Sequence, residues 1–266
     1  MRLIAMTLVM MALIGVATAQ ERYPYARGSK TLPPNLECAG ATFGSMPTAM
    51  PTAPVRLTII EPREGAILES GTRVEVQCKL EEYNVYRVSD AQPFKGQHIH
   101  FILDNDPYKA VYGTETVFEN LKPGTHTLRV FPARPWHESI KSSGAFATRT
   151  FHVEKKSRGP HLPDLSKPML TYSRPKGTYK GVMAKRVLLD FWVSNCRIDL
   201  NGPRVRYSVN KGPWRYIYRW PPGQLLYLNN LSSGHHTLTV ELVDHNNRLI
   251  ENGGYNRTTR VVCVEQ

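Results

Sequence analysis

An internal duplication constrains the fold of this chain more than any other feature of its sequence. Residues 121–128 read Leu-Lys-Pro-Gly-Thr-His-Thr-Leu, and residues 231–238 read Leu-Ser-Ser-Gly-His-His-Thr-Leu. Two earlier pairs of segments match in the same order, namely 101–108 with 207–214 and 61–65 with 174–177. Three ordered matches, each about a hundred residues apart, indicate two copies of one structural unit.

Each copy is predicted to consist of β-strands. Residues 72–80 alternate strictly, with Val74, Val76, Cys78 and Leu80 on one face. A period of two over this length is typical of a half-buried strand. About seven strand candidates in each copy are separated by Gly, Pro and Asn turns, which favours a β-sandwich. We therefore predict an all-β chain with two tandem β-sandwich domains.

The repeated phrase Leu-x-x-Gly-x-His-Thr-Leu resembles the turn-into-strand segment near the E–F corner of immunoglobulin-like and fibronectin type III-like modules. The resemblance covers residues 55–265 and implies tandem sandwiches of an exported protein. It also implies domains that bind, space or scaffold, since most such modules do so. The Cys…Trp…Cys pattern of antibody domains is absent from the sequence.

The beginning of the chain has the pattern of an export signal. Arg2 is followed by an apolar stretch and then by Ala-Thr-Ala at 17–19, so residues 1–19 are a predicted signal peptide. A retained membrane anchor is the alternative, although the apolar run is short for a membrane span. The protein is therefore predicted to be extracytoplasmic, either periplasmic or secreted, and in the alternative case membrane-associated.

Changes in composition divide the remaining chain. A proline-rich stretch predicts an extended N-terminal arm, and a Gly- and Pro-containing charged stretch predicts a linker between the two copies. The predicted units are the arm at 20–54, the first sandwich at 55–155, the linker at 156–167 and the second sandwich at 168–266.

Four cysteines in an exported chain favour disulfide bonds. We predict the pairs Cys38–Cys78, which would attach the arm to the first domain, and Cys196–Cys263, which would attach the C-terminus to the second. A buried free thiol at Cys78 is the alternative, because this residue lies on the apolar face of its strand.

His98 and His100 are the strongest candidates for a metal site. They are two residues apart on a predicted strand, so both imidazoles point the same way. Two imidazoles at this spacing can share a copper or zinc ion, and His137 is a candidate third ligand. The second copy has Arg204 and Arg206 at the aligned positions. A polar outer face, with ring nitrogens bonded to neighbours, is therefore the alternative interpretation.

Other polar residues of the repeat are predicted to be structural. His126 and His236 occupy the same place in the repeated phrase, so we expect both rings to bond loop backbone. The Asp-Asn-Asp segment at 104–106 precedes a proline and favours a turn. It lacks the glycine and distal glutamate of a calcium-binding EF-hand loop.

The sequence contains no motif of a common catalytic site. A Gly-x-Ser-x-Gly elbow, a phosphate-binding glycine loop and a His-Glu-x-x-His pair are all absent from it. We therefore predict that the protein is not an enzyme.

The positive charge of the chain is concentrated in its second half. The formal charge is +12; the first sandwich has thirteen basic and thirteen acidic residues, and the second has fourteen against six, a net of +8. Arginines and aromatics alternate there, which is typical of interfaces. The candidate partner-binding residues are Arg204, Arg206, Trp214, Arg215, Tyr216, Tyr218, Arg219 and Trp220. The alternative is a core of aromatics beneath a solvated face of arginines.

These features support three functional hypotheses. The first is a non-catalytic protein that docks through its basic second domain onto an acidic protein surface, as a membrane-extrinsic subunit of a membrane or envelope complex. Anionic glycans and lipid headgroups are alternative partners, whereas nucleic acid is disfavoured by the export signal. The second is a copper- or zinc-binding module that uses His98 and His100. The third is a carbohydrate-binding module, because aromatic side chains can stack on sugar rings.

Overall fold

The computed structural model describes most of the chain after the N-terminal region. The described residues are 41–44, 53–69, 73–87, 96–142, 144–219 and 225–266. The predicted signal peptide, most of the predicted arm, Cys38 and Trp220 lie outside these residues. No helix in the described part of the chain has both the length and the apolar character that a membrane span requires.

The first sandwich is built from two antiparallel-rich sheets. A short strand of the predicted arm, β1 (Ala41–Gly44), precedes this sandwich in the chain. The strands of the first sandwich are β2 (Arg56–Glu61), β3 (Ile67–Leu68), β4 (Val74–Glu81), β5 (His98–Leu103), β6 (Lys109–Val111), β7 (Glu115–Phe118), β8 (Gly124–Ala133) and β9 (Ala147–Val153). One sheet has the order β2-β4-β7 and the other β3-β9-β8-β5-β6. Val74, Val76 and Cys78 face the core between the sheets, as the alternation predicts.

The second sandwich repeats this arrangement. Its elements are β10 (Met169–Arg174), β11 (Gly177–Lys180), α1 (Val182–Lys185), β12 (Arg186–Ser194), β13 (Arg204–Val209), β14 (Arg215–Ile217), β15 (Leu225–Asn229), β16 (Gly234–Val243) and β17 (Arg257–Glu265). The sheets run β1-β15-β12-β10 and β11-β17-β16-β13-β14. The described part of the chain is therefore all-β with two sandwich domains, as predicted, apart from the one-turn helix α1.

Part of the predicted arm belongs to the second sandwich. Strand β1 pairs antiparallel with β15 and extends the sheet at that edge. This differs from the expected attachment of the arm to the first domain. Backbone pairing decides the position of β1, which becomes the edge strand of this sheet in place of β15.

The repeated histidines are structural, as predicted. Nε2 of His126 lies 2.8 Å from the carbonyl oxygen of Lys122, and Nε2 of His236 lies 2.8 Å from that of Ser232. The other ring nitrogen of His126 pairs with Asp104 at 2.9 Å. Asp104 begins the predicted turn and accepts a hydrogen bond from a backbone amide at 2.9 Å. Asp104 therefore has a structural role in the turn at 104–106.

The two domains share a continuous buried interior. Ile102, Tyr108 and Phe131 of the first domain pack into the hydrophobic core of the second. The guanidinium group of Arg129, fully buried, donates to the Leu170 carbonyl at 3.2 Å and to the Thr171 hydroxyl at 3.0 Å. Because a buried charge needs such partners, these contacts hold the second domain against the outer face of β5 and β8.

The predicted disulfide Cys196–Cys263 is wrong, because both residues are free thiols. In β17, Val262 and Val264 face the core, so Cys263 points outward, whereas Cys196 packs against the core itself. The two sulfur atoms therefore lie on different sides of the sheet. Cys78 is also a free thiol, the alternative that the sequence left open, and burial raises its pKa to about 12. Its predicted partner, Cys38, is outside the described residues.

Candidate metal centre

His98 and His100 lie at the junction of the two domains. Both are on β5, and both are 0% exposed to solvent. The alternation of the strand directs Ile99 and Phe101 into the core of the first domain, as predicted. The opposite face is not an outer surface, however, because the second domain covers it. The alternative interpretation as an outer face is therefore wrong in position, whereas the bonding of ring nitrogens to neighbours, which it also predicted, is observed for His98 and His100.

His137 joins this pair from the turn that follows β8. The turn is closed by two backbone hydrogen bonds of 2.8 Å, from His137 to the carbonyl of Arg134 and from Arg134 to the carbonyl of Glu138. His137 has a φ of 70°, in the left-handed region that favours glycine and asparagine. The matching turn of the second copy has Asn247 at this position, with a φ of 62°. A histidine thus occupies a place where the duplicate has an ordinary turn residue.

Three ring nitrogens of these histidines converge. Nε2 of His98 lies 2.9 Å from Nε2 of His100 and 2.9 Å from Nδ1 of His137. All three atoms lie within 4.8 Å of one another. Metal–nitrogen bonds of about 2.0–2.1 Å in tetrahedral geometry place ligand atoms about 3.3 Å apart. The two pairs at 2.9 Å are within a few tenths of an ångström of this spacing, and the wider separation in the set, up to 4.8 Å, must close by about 1.5 Å to share one ion.

Hydrogen bonding among the three rings cannot satisfy these contacts. The Gly96 carbonyl, 2.8 Å from Nδ1 of His98, can only accept, so Nδ1 carries the proton and Nε2 the single lone pair of this neutral ring. That lone pair can accept one well-aligned hydrogen bond, yet two ring nitrogens lie 2.9 Å from it. At least one contact is therefore unfavourable unless a cation is shared by the three nitrogens.

Two of the rings are held in the neutral form that a metal requires. Burial lowers the pKa of His98 to about 4, and burial lowers the pKa of His100 well below its usual value. The cations Arg174 and Lys176 lower both pKa values further. Metal ligation requires the unprotonated nitrogen, so the lone pairs of His98 and His100 are available near neutral pH.

Surrounding groups orient two of the candidate ligands. A side chain at Gly96, the acceptor for His98, would collide with the carbonyl of Tyr86, so a residue without a side chain is needed there. Nδ1 of His100 lies 3.2 Å from the hydroxyl of Ser173, which belongs to the second domain. The Tyr108 ring stacks on His100 with centroids 3.5 Å apart. Such outer contacts fix the tautomer and plane of metal-binding histidines.

In the second copy, arginines occupy the positions that align with His98 and His100. Arg204 donates to the carbonyls of Asp244 and His245, and Arg206 donates to the carbonyl of Asn247 at 3.2 Å. The aligned arginines thus bond the backbone of the matching turn. The fold itself therefore does not require imidazoles at these positions, and the three histidines are particular to the first copy.

Two of the predicted partner-binding arginines, Arg204 and Arg206, make contacts within the second domain. Arg204 is buried, and Arg206 forms hydrogen bonds of 2.7 and 2.6 Å with the buried carboxylate of Glu241. Both arginines also stack on aromatic rings, at 5.4 Å for Tyr218 and 4.3 Å for Trp214. The charges of Arg204 and Arg206 are therefore compensated inside the second domain.

Three aromatic residues of this set, Trp214, Tyr216 and Tyr218, do share an outward face. Tyr216 pairs with Arg206 across the β13–β14 ladder, and its ring lies 6.0 Å from that of Tyr218. Trp214 is 36% exposed, whereas Ile217 is buried on the other face, as the alternation predicts. Arg215 and Arg219 are half-buried, and Trp220 is outside the described residues.

The comparisons give fold-level similarity alone. No protein-family model and no curated protein matches the chain. Among solved structures, the fibronectin(III)-like modules of Clostridium thermocellum CbhA match at 15% identity, over 79% of this chain and 94% of that chain, with a TM-score of 0.26. The central fibronectin-III array of RIM-binding protein matches at 11% identity, over 80% and 70%, with a TM-score of 0.25. The tandem V-type regions of VCBP3, a v-region-containing chitin binding protein, match at 10%, over 80% and 100%, with a TM-score of 0.24.

The assignment of the fold rests on the strand pairing described above. Together, the fold and the cluster define a tandem β-sandwich protein with a candidate three-histidine metal centre between its domains.

Proposed function

We propose that this is an extracytoplasmic, non-catalytic metal-binding protein that holds one copper or zinc ion with His98, His100 and His137. The observation that carries the proposal is the convergence of three ring nitrogens, in which Nε2 of His98 offers one lone pair to two neighbouring ring nitrogens at 2.9 Å. The duplicate supports it, because its arginines at the aligned positions satisfy the matching turn without any imidazole.

The ligand set favours copper over zinc. Three imidazoles without a carboxylate or thiolate suit copper and zinc, whereas calcium and magnesium require oxygen ligands. Copper binds nitrogen sites more strongly than zinc in the divalent series. The nearby cations Arg174 and Lys176 oppose added positive charge, and Cu(I) brings one charge fewer than Zn²⁺. We therefore propose copper as the preferred ion.

Elemental analysis tests this proposal. The protein is purified without chelators, loaded with copper or zinc, and passed through a desalting column, and one ion per chain is expected. The variants His98→Ala and His100→Ala should lose it, because removal of a ligand should weaken affinity by more than the roughly 10–100-fold cost of losing an outer contact. His245→Ala, an exposed histidine in the second domain, is the matched control. A wild-type protein without bound metal, or equal retention in all variants, would refute the proposal.

A second candidate function is docking through the second domain onto an acidic protein surface, as a membrane-extrinsic subunit. The exposed Trp214 favours this function over a purely internal role, and the half-buried Arg215 and Arg219 lie near it in sequence on the other face of the same edge strand region. We expect Arg215→Glu with Arg219→Glu to reduce co-purification of the partner at low salt. The control, Lys185→Glu with Arg197→Glu, makes the same charge change at exposed positions elsewhere in the domain. Equal retention in both double variants would contradict docking at this face.

A further inference from the structure

A pocket of about 150 Å³ lies beside His137, on the side of the second domain. Its floor is formed by buried side chains, Tyr179, Leu188 and Tyr227, which are 3–8% exposed. Its rim includes Val182, which is 72% exposed, so the pocket is accessible from solvent. The pocket therefore has a largely apolar floor and is open to solvent at its rim.

Two arginines, Arg174 and Arg186, line this apolar pocket. Arg174 donates from Nη1 to the Tyr179 hydroxyl at 3.0 Å, but its Nε is buried without a hydrogen-bond partner. The guanidinium group of Arg186 lies 4.1 Å from the Tyr227 ring centroid. The lining residues include no aspartate or glutamate. Neither arginine forms an ion pair with a carboxylate in the described ranges of the chain.

Among the described residues, no carboxylate lines the pocket as a counter-ion for these two arginines. Removing a charged group from water is costly unless an opposite charge and hydrogen bonds replace the water. Lys176 adds to the positive potential, since its ammonium group lies 3.9 Å from the ring centroid of Tyr108, against which Arg174 also packs at 5.3 Å. An anion in the pocket would therefore be stabilised by the wall of the pocket itself.

The chemistry of the wall defines the class of anion. A guanidinium group presents parallel donors that match the two oxygens of a carboxylate. The aromatic and aliphatic floor suits an apolar body, and an engineered protein cavity of about 150 Å³ accommodates benzene. We infer that this pocket binds a small organic monocarboxylate whose charged end faces Arg174 and Arg186. The inference goes beyond the proposed function, because it does not require a bound metal.

Calorimetric titration of the metal-free full chain tests the inference with three probes. Benzoate combines a carboxylate with a ring, acetate has the carboxylate alone, and benzyl alcohol has the ring without the charge. We expect benzoate to bind about tenfold or more tightly than either, since a hydrogen bond to a charged group contributes this much. Equal binding of benzyl alcohol and benzoate would overturn the inference, and so would the absence of benzoate binding.

Charge-removal variants provide the control. Arg186→Gln should weaken benzoate binding about tenfold or more, because Arg186 lines the pocket and is exposed enough for the fold to tolerate the change. Lys185→Gln removes the same charge at the neighbouring position, which does not line the pocket, and should leave benzoate affinity unchanged. Equal losses in both variants would show a general charge effect and would overturn the site. Because the protein is free of metal, failure here is distinct from failure of the metal centre.

Discussion

Replacement of His137 by asparagine tests the metal centre with a residue that the fold already accommodates. Asn247 occupies the matching turn of the second copy with a φ of 62°, close to the 70° of His137. Asparagine tolerates this left-handed conformation, so His137→Asn should preserve the turn. The substitution removes one of three converging nitrogens and also one of the two 2.9 Å contacts to Nε2 of His98.

The expected magnitude follows from ligand binding linked to unfolding. At a free metal concentration of about 1,000 times the Kd, binding stabilises the native protein by about 4.1 kcal/mol. A site weakened by about 100-fold or more is then at about ten times its Kd or below, where the stabilisation is at most about 1.4 kcal/mol. For a body of about 150–250 residues, binding therefore raises the Tm by about 8–16 °C in the wild type and by at most about 3–6 °C in the variant.

Differential scanning calorimetry measures both values, with and without copper, and with EDTA in the reference. His245→Asn, at an exposed position in the second copy, is the control and should show the full metal-induced shift. In EDTA, His137→Asn should have nearly the Tm of the wild type. The loss of packing by the imidazole ring is offset because the substitution also removes the unfavourable 2.9 Å contact between Nδ1 of His137 and Nε2 of His98. Equal metal-induced shifts in the wild type and in His137→Asn would refute the role of His137 as a ligand.

Three further predictions concern the surroundings of the site. Ser173→Ala should weaken metal affinity about 10–100-fold, measured by competition with a chelator, because the hydroxyl contacts a candidate ligand at 3.2 Å; unchanged affinity would contradict this. Lys141→Met should lower the free energy of unfolding, measured in urea, by about 3–5 kcal/mol, because the fully buried carboxylate of Asp190 loses an ion-pair partner 2.5 Å away. A loss below about 1 kcal/mol, which is typical of exposed ion pairs, would contradict this prediction. Asp104 raises the pKa of His126 through a hydrogen bond, so this pair stabilises the fold below about pH 6.5 and the contribution is lost as pH rises through the raised pKa. Asp104→Asn should remove that part of the pH dependence of the Tm, and an unchanged profile would refute it.

Local periodicity was sufficient to predict the architecture. The strict alternation of residues 72–80 predicts a strand with one apolar face, and the structure buries Val74, Val76 and Cys78 in this way. The repeated phrase predicts two copies of the fold, and both copies have the same arrangement of sheets. Alternation and repetition can be recognised in the sequence because they depend on neighbours along the chain.

The same period placed His98 and His100 on one face of β5, and the turn after β8 brought His137 to them, as the sequence predicts. Two features of the centre had no local signal. Ser173 lies 73 residues from His100 in sequence and meets it only because the domains pack together. The burial of both imidazoles also results from the packing of the two domains, because this packing covers the second face of β5 and leaves every residue of the strand buried.

Tertiary structure also decided which groups pair with the arginines of the second domain. The sequence shows that Arg204 and Arg206 are basic and lie near aromatics, but not that Glu241 and the carbonyls of a turn will take their guanidinium groups. Cys196 and Cys263 likewise have suitable spacing along the chain and yet lie on different sides of a sheet. The sequence alone thus determined the strands, their faces and the duplication, because backbone periodicity is local. The packing of one domain on the other decided which polar groups became a buried site, because desolvation depends on residues far away along the chain.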